Sequence, residues 1–117
     1  MSESILREKS KQFAKDIVFL CRKLKEDKVE AALLSQLLRS GTSVGANVHE
    51  AQYAQGTKDF ISKLEIALKE CNESEYWIGL LKDINALEKT DFEKFSKDCI
   101  ELRRMLVSSV TTLKKQL

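Results

Sequence analysis

The side chains able to do chemistry are few: His49 beside Glu50, the cysteines 21, 71 and 99, Ser43, the carboxylates Glu73 and Glu75, and a line of bases on the first helix. A di-iron centre in a helical bundle needs carboxylates together with two Glu-x-x-His motifs aimed inward. The chain has a single histidine, and adjacent His49 and Glu50 project in different directions. A zinc site needs Cys and His at close ligand spacing, whereas the three cysteines stand singly, each on an apolar stripe. Ser43 and His49 are six residues apart on one helix and do not face each other, so a hydrolytic triad lacks local support. Neither G-x-G-x-x-G nor G-x-x-x-x-G-K-[ST] occurs, and Glu73 with Glu75 reads as a solvated face. The expectation is a protein that is not an enzyme, with no catalytic residue, no metal, no cofactor and no small-molecule substrate.

The bases Arg7, Lys11, Lys15, Arg22 and Lys25 share one helical stripe, which can follow a phosphate backbone. Acidic neighbours such as Glu8 and Glu26 favour an ordinary solvated face instead. No aromatic residue interleaves with the stripe to stack bases. Residues 1–28 carry eight bases against five acids and residues 90–117 six against four, while the middle of the chain is net acidic. Nucleic-acid binding, if present, should therefore be weak, salt-sensitive and indifferent to sequence.

These residues must be placed by 117 residues that are 43% apolar and 32% charged, with a net charge of +2. That is one domain's worth of chain, residues 1–117, large enough to fold without disulfides or structural metal. Three widely spaced cysteines suit reduced thiols. Met1 to Lys15 mixes acids and bases without an apolar core, so a secretory signal is not expected. No run is long and apolar enough to span a membrane, and the expected location is cytoplasmic.

With no proline and four glycines, the chain has few places to break. Leu6, Phe13, Ile17, Leu20 and Leu24 recur at helical spacing and predict a first helix over roughly residues 3–26. Leu34, Leu37, Leu38, Gly41, Val44, Gly45, Val48 and Ala51 define a second. A third uses Phe60, Leu64, Ala67, Cys71, Ser74, Ile78 and Leu81, and a fourth Phe92, Phe95, Cys99, Leu102, Leu106, Val110 and Leu113. Thr90 with Glu93 forms a capping box before helix four, Asp27 with Glu30 a lesser one before helix two, and Thr57 an N-cap for helix three. Short links force antiparallel neighbours, so the predicted fold is all-α, an antiparallel up-down-up-down four-helix bundle.

Helix two is unusual, because from Ala31 to Thr57 only Arg39 and Glu50 carry charge, apart from His49. Its polar side is small and neutral, which suits a helix covered on both sides. Helix three has apolar residues to spare: Ile66, Trp77, Leu80 and Ile84 lie away from its core stripe, as Phe19 does on helix one. Large apolar residues outside a core mark partner surfaces, and tryptophan is a frequent interface anchor. Phe19, Ile66, Trp77 and Ile84 are thus the candidates for contact with another copy.

The stretch from Gln36 to Glu50, QLLRSGTSVGANVHE, resembles the signature of the 23S rRNA intervening-sequence protein family, also called four-helix bundle proteins. Residues 60–77, FISKLEIALKECNESEYW, are similar to the family's helix-three pattern. The resemblance implies a four-helix bundle that assembles into ring-like homopentamers, and it offers no catalytic residue to transfer. It also implies that Arg39, Ser43, Asn47 and Glu50 are family positions, read here as buried polar groups bonding within or between subunits. A related branch, the accessory proteins of diversity-generating retroelements, combines a similar bundle with a strongly basic surface that engages nucleic acid. This chain departs from that branch in its modest charge, in having Ala51 after the signature Glu50, and in lacking a proline before helix two.

Overall fold

Each apolar stripe becomes one helix in the computed structural model, which describes the backbone of residues 2–117 and side chains from Ser4 onward: α1 (Ser2–Glu26), α2 (Ala31–Ala51), α3 (Thr57–Asp83) and α4 (Lys89–Lys115). The described residues contain no strand. Each helix packs on the next in chain order, and α1 closes the ring against α4. Cross-helix contacts give the directions. Arg7 meets Gln52 while Cys21 meets Leu34, Arg39 meets Glu70 while Lys63 meets Glu50, and Lys9 meets Glu101 while Lys23 meets Asp91. Numbers rise on one helix as they fall on the next, so the bundle is antiparallel and up-down-up-down.

One core runs the length of the bundle. Leu6, Phe13, Ile17, Leu37, Val44, Val48, Leu64, Ile78, Phe95, Leu102 and Leu106 all lie in it, as the helical spacing predicts. Leu38 is a correction, because it turns to solvent on α2 and its place on that helix's inner surface goes to Ser40. The α1–α4 seam is the least extensively packed. It is laced by ion pairs from Lys9 to Glu101 at 2.8 Å, Lys94 to Asp16 at 2.9 Å and Lys23 to Asp91 at 3.0 Å.

The helix boundaries correct the expected caps. Helix α4 starts two residues earlier than the Thr90–Glu93 box requires, with Glu88 as N-cap and no side-chain capping bond. Two tertiary contacts fix that start: Leu87 is drawn into the core, and Lys23 holds both Glu88 and Asp91. Glu30 caps α2 without a side-chain bond, so the Asp27–Glu30 box does not form. Gly56, not Thr57, is the N-cap of α3, where the Asp59 carboxylate accepts the Gln55 N–H at 3.2 Å. At the C-terminal ends, Lys28 and Asn85 take positive φ of 63° and 60°. Val29 and Ala86 then donate back five residues, to Leu24 and Leu81, which closes each helix in a Schellman turn.

Two glycines set how closely α1 and α2 approach. A Cβ on Gly41 would sit 2.9 Å from both Cγ atoms of Ile17, and one on Gly45 would sit 3.1 Å from the Ser10 carbonyl oxygen. Alanine gains about 1 kcal/mol over glycine in a helix interior, whereas overpacking a filled core costs about 1–3 kcal/mol. Ile17 is fully buried and branched at the point of contact, so the clash should win at position 41. Thermal melts are expected to show Gly41→Ala below the wild type and further below it than Gly45→Ala. A stabilised Gly41→Ala would mean that helix propensity outweighs the close approach.

Candidate functional site

The polar flank of α2 meets the spare apolar face of α3 along one ridge. Arg39 reaches across from α2, donating Nη1 to both carboxylate oxygens of Glu70 at 3.2 and 3.0 Å and Nη2 to Glu73. Glu73 also accepts the indole N–H of Trp77, one turn further along α3, at 3.1 Å. Arginine, two glutamates and the tryptophan therefore form one chain of contacts that fixes the indole's position. Beneath it, Ser74 Oγ lies 2.9 Å from Ser40 Oγ and 2.9 Å from the Glu70 carbonyl oxygen, both serines being fully buried. Paired serines satisfy each other's polar groups and, being small, let the two backbones come close.

Toward the other end of the ridge, Lys63 donates to Glu50 at 3.3 Å and Asn47 donates to the Ser43 carbonyl oxygen at 2.9 Å. The reading of Arg39, Ser43, Asn47 and Glu50 as buried polar groups is corrected for the single chain. Arg39 and Glu50 are solvent-exposed and Ser43 and Asn47 half-buried, because this flank lies at the outer edge of the α2–α3 seam. Each nonetheless sits in the ridge, and the two charged members have partners on α3.

Of the interface candidates, Ile66 is 40% and Ile84 45% exposed, whereas Trp77 is half-buried and packs its ring against the core. Eleven and seven residues apart, the three recur on the same side of α3. Tyr76 stands edge-on to Trp77 with ring centroids 5.0 Å apart and is itself exposed. Phe19 does not join them. It lies on α1 near the α4 seam, beside Asp16, Lys23 and Asp91, with the Arg22 guanidinium 5.7 Å above its ring.

The five bases of α1 are all exposed. Arg7 donates to Gln52 at 2.6 Å, while Lys11, Lys15, Arg22 and Lys25 have no carboxylate within salt-bridge distance among the described residues. The cysteines are buried, with Cys21 against the Leu34 carbonyl at 3.8 Å and Cys71 against the Cys99 carbonyl at 3.4 Å. Burial pushes the Cys21 thiol up to about 11, which keeps it protonated and inert near neutrality. Among the described residues, no three His, Cys, Asp or Glu side chains converge as metal ligands. Nor, among the described residues, is any helix long and apolar enough to cross a membrane.

The family model for the 23S rRNA-intervening sequence protein matches residues 2–108. The chain belongs to this family. A crystal structure of a protein of unknown function from the S23 ribosomal protein family of Bacteroides thetaiotaomicron is similar, at 41% sequence identity and a TM-score of 0.92, over 95% of this chain and 99% of that one. No curated protein matches the sequence. In this member of the intervening-sequence family, the signature Gln36–Glu50 supplies both the glycines that admit α1 and the Arg39 that ties α2 to α3. Sequence reasoning missed Glu70 and Glu73 as Arg39's partners, since both look like solvated acids. Ser74 on the core stripe of α3 was the one visible sign of a polar contact across the seam.

The ridge carries a pH dependence. The Trp77 indole N–H, and then the Arg39 guanidinium, hold the Glu73 carboxyl below its ordinary value, and Lys9 does the same for Glu101 on the far seam. A carboxyl depressed in the folded state stabilises the fold above its unfolded pKa, and that contribution is lost as pH falls through the folded value. Melting temperature is expected to be flat near neutrality and to fall as pH drops through the carboxylate range, with a shallower fall in Glu73→Gln. An identical profile in that variant would show that the ridge ion pairs add nothing.

Proposed function

We propose that this protein is a non-enzymatic, homo-oligomeric helical-bundle scaffold or interaction protein, with the α2–α3 ridge as its contact with another copy. The observation that carries this reading is the company Ile66 and Ile84 keep: two exposed aliphatic side chains flank a tryptophan already immobilised by Glu73 and Arg39. A pre-ordered aromatic beside exposed apolar groups binds at low entropic cost. Five copies in a ring is the assembly that the family resemblance suggests. Free, buried cysteines suit a reducing compartment, so the proposed location is cytoplasmic. Light scattering coupled to gel filtration at micromolar concentration tests the assembly: a monomer refutes it, and an oligomer of another number refutes only the pentamer.

A nucleic-acid-binding accessory protein is the second reading, favoured by the exposed bases Lys11, Lys15, Arg22 and Lys25, which an oligomer would repeat around its surface. Binding through phosphates releases counterions and so weakens as salt rises. Fluorescence anisotropy with mixed-sequence RNA and DNA is expected to show binding only at low salt, with a reduced salt slope when Lys15 and Arg22 become glutamine. Tight binding at physiological salt would put this reading first, and none at low salt would remove it.

A further inference from the structure

A groove of about 580 Å³ runs between the first half of α1 and the second half of α2, away from the α2–α3 ridge. Its floor is made of small residues, Ala14 from α1 and Thr42, Gly45 and Ala46 from α2. The floor is shallow because α1 and α2 touch backbone to backbone at Gly45 and Ser10. Arg7, Lys11 and His49 stand along its edges, and Glu8 is the one carboxylate among the described lining residues. Gln52 accepts the Arg7 guanidinium at 2.6 Å and holds it at one end. Lining residues run from Ser4 to Ala14 on one side and from Thr42 to Gln52 on the other, a length of about 15 Å, or three helical turns.

We infer that this groove docks an acidic amphipathic helix of a partner protein. A trough between two helices, floored by alanine, glycine and threonine, lets a third helix lie close at about 8 Å between axes, the near limit of helix packing. Two fixed-sign cations on the edge, Arg7 and Lys11, with Lys15 one turn further along α1, select flanking Glu or Asp residues on that helix. A single small molecule would leave most of an open, three-turn trough unfilled. Glu8 opposes an acidic guest, and its removal is therefore an internal check.

The probe is a fluorescein-labelled 16-residue peptide of Glu, Ala and Leu, with the apolar residues on one helical face, titrated with the full-length protein at low ionic strength. Saturable binding is expected, at least tenfold weaker in Ala46→Trp, which fills the floor, and similarly weaker in Lys11→Glu. Glu8→Gln should tighten binding several-fold, and a Lys-for-Glu counterpart peptide should not bind. Ala46, Lys11 and Glu8 are all exposed, and circular dichroism melts verify that the variants remain folded. The inference is overturned if the acidic peptide does not saturate, if Ala46→Trp leaves its affinity unchanged, or if the basic peptide binds equally well. It is also overturned if the peptide fails to bind while Ala46→Trp alters oligomer size, which would make a second copy the occupant. Loss of RNA binding in Ala46→Trp without any peptide binding would overturn it in favour of nucleic acid.

Discussion

Phe13→Ala is expected to destabilise the bundle by about 3–5 kcal/mol, the range for removing a large buried aromatic. Phe13 is 2% exposed, and its ring meets Phe95 edge-on at 6.4 Å between centroids, joining α1 to α4 across the seam with the least packing. Neighbouring helices cannot collapse into the space without breaking the Lys9–Glu101 and Lys94–Asp16 pairs that flank it. A domain of this size has roughly 5–15 kcal/mol in total, so the variant should melt far below the wild type or be partly unfolded at room temperature. Phe19, six residues along the same helix and mostly exposed, supplies the contrast. In the separated chain, Phe19→Ala should change stability by no more than about 0.5 kcal/mol. Urea unfolding followed by circular dichroism measures both, and comparable losses would contradict the assignment of Phe13 to the core and Phe19 to the surface.

The paired substitution Ile66→Glu and Ile84→Glu is expected to dissolve the proposed oligomer while leaving the single bundle intact. Neither side chain belongs to the core cluster or to the apolar groups packed against it, so the separated chain should melt close to the wild type. In an interface centred on Trp77, each new carboxylate would be stripped of water without a partner, and the one at position 66 would lie one turn from Glu70, which already shares the single charge of Arg39 with Glu73. Loss of one interface hot spot costs about 2 kcal/mol or more, roughly 30-fold in affinity, and a closed ring pays that cost at every contact. Light scattering should report the monomer mass where the wild type reports an assembly. An unchanged assembly would move the interface elsewhere on the bundle, whereas an altered melt in the isolated chain would show that the isoleucines support the fold itself.

Much of the helical core was legible because burial in a bundle repeats every three to four residues, and that period is written in the chain. Phe13, Ile17, Val44, Leu64 and Leu102 could be placed inside from spacing alone. The caps were less legible. Thr90 and Glu93 satisfy the local pattern of a capping box, yet Leu87 and Lys23 start α4 at Lys89 through contacts more than sixty residues away in sequence on the Lys23 side. Local signals gave way there to tertiary ones.

The polar site divides in the same way. Spacing placed Ile66, Trp77 and Ile84 together on one side of α3, and a charge-poor α2 marked that helix as the unusual one. By itself, then, the sequence determined four helices, their inward faces and which helices carried surplus apolar surface, since each of these follows from periodicity within one element. Tertiary structure alone decided that Arg39 grips Glu70 and Glu73, that Ser40 finds Ser74, that Leu38 faces water and that Phe19 stands apart from the ridge. Those outcomes depend on how far each helix is rotated and how closely it approaches its neighbour. Both quantities are set by packing between elements, here by Ile17 against Gly41 and Ser10 against Gly45, and no period within a single helix encodes them.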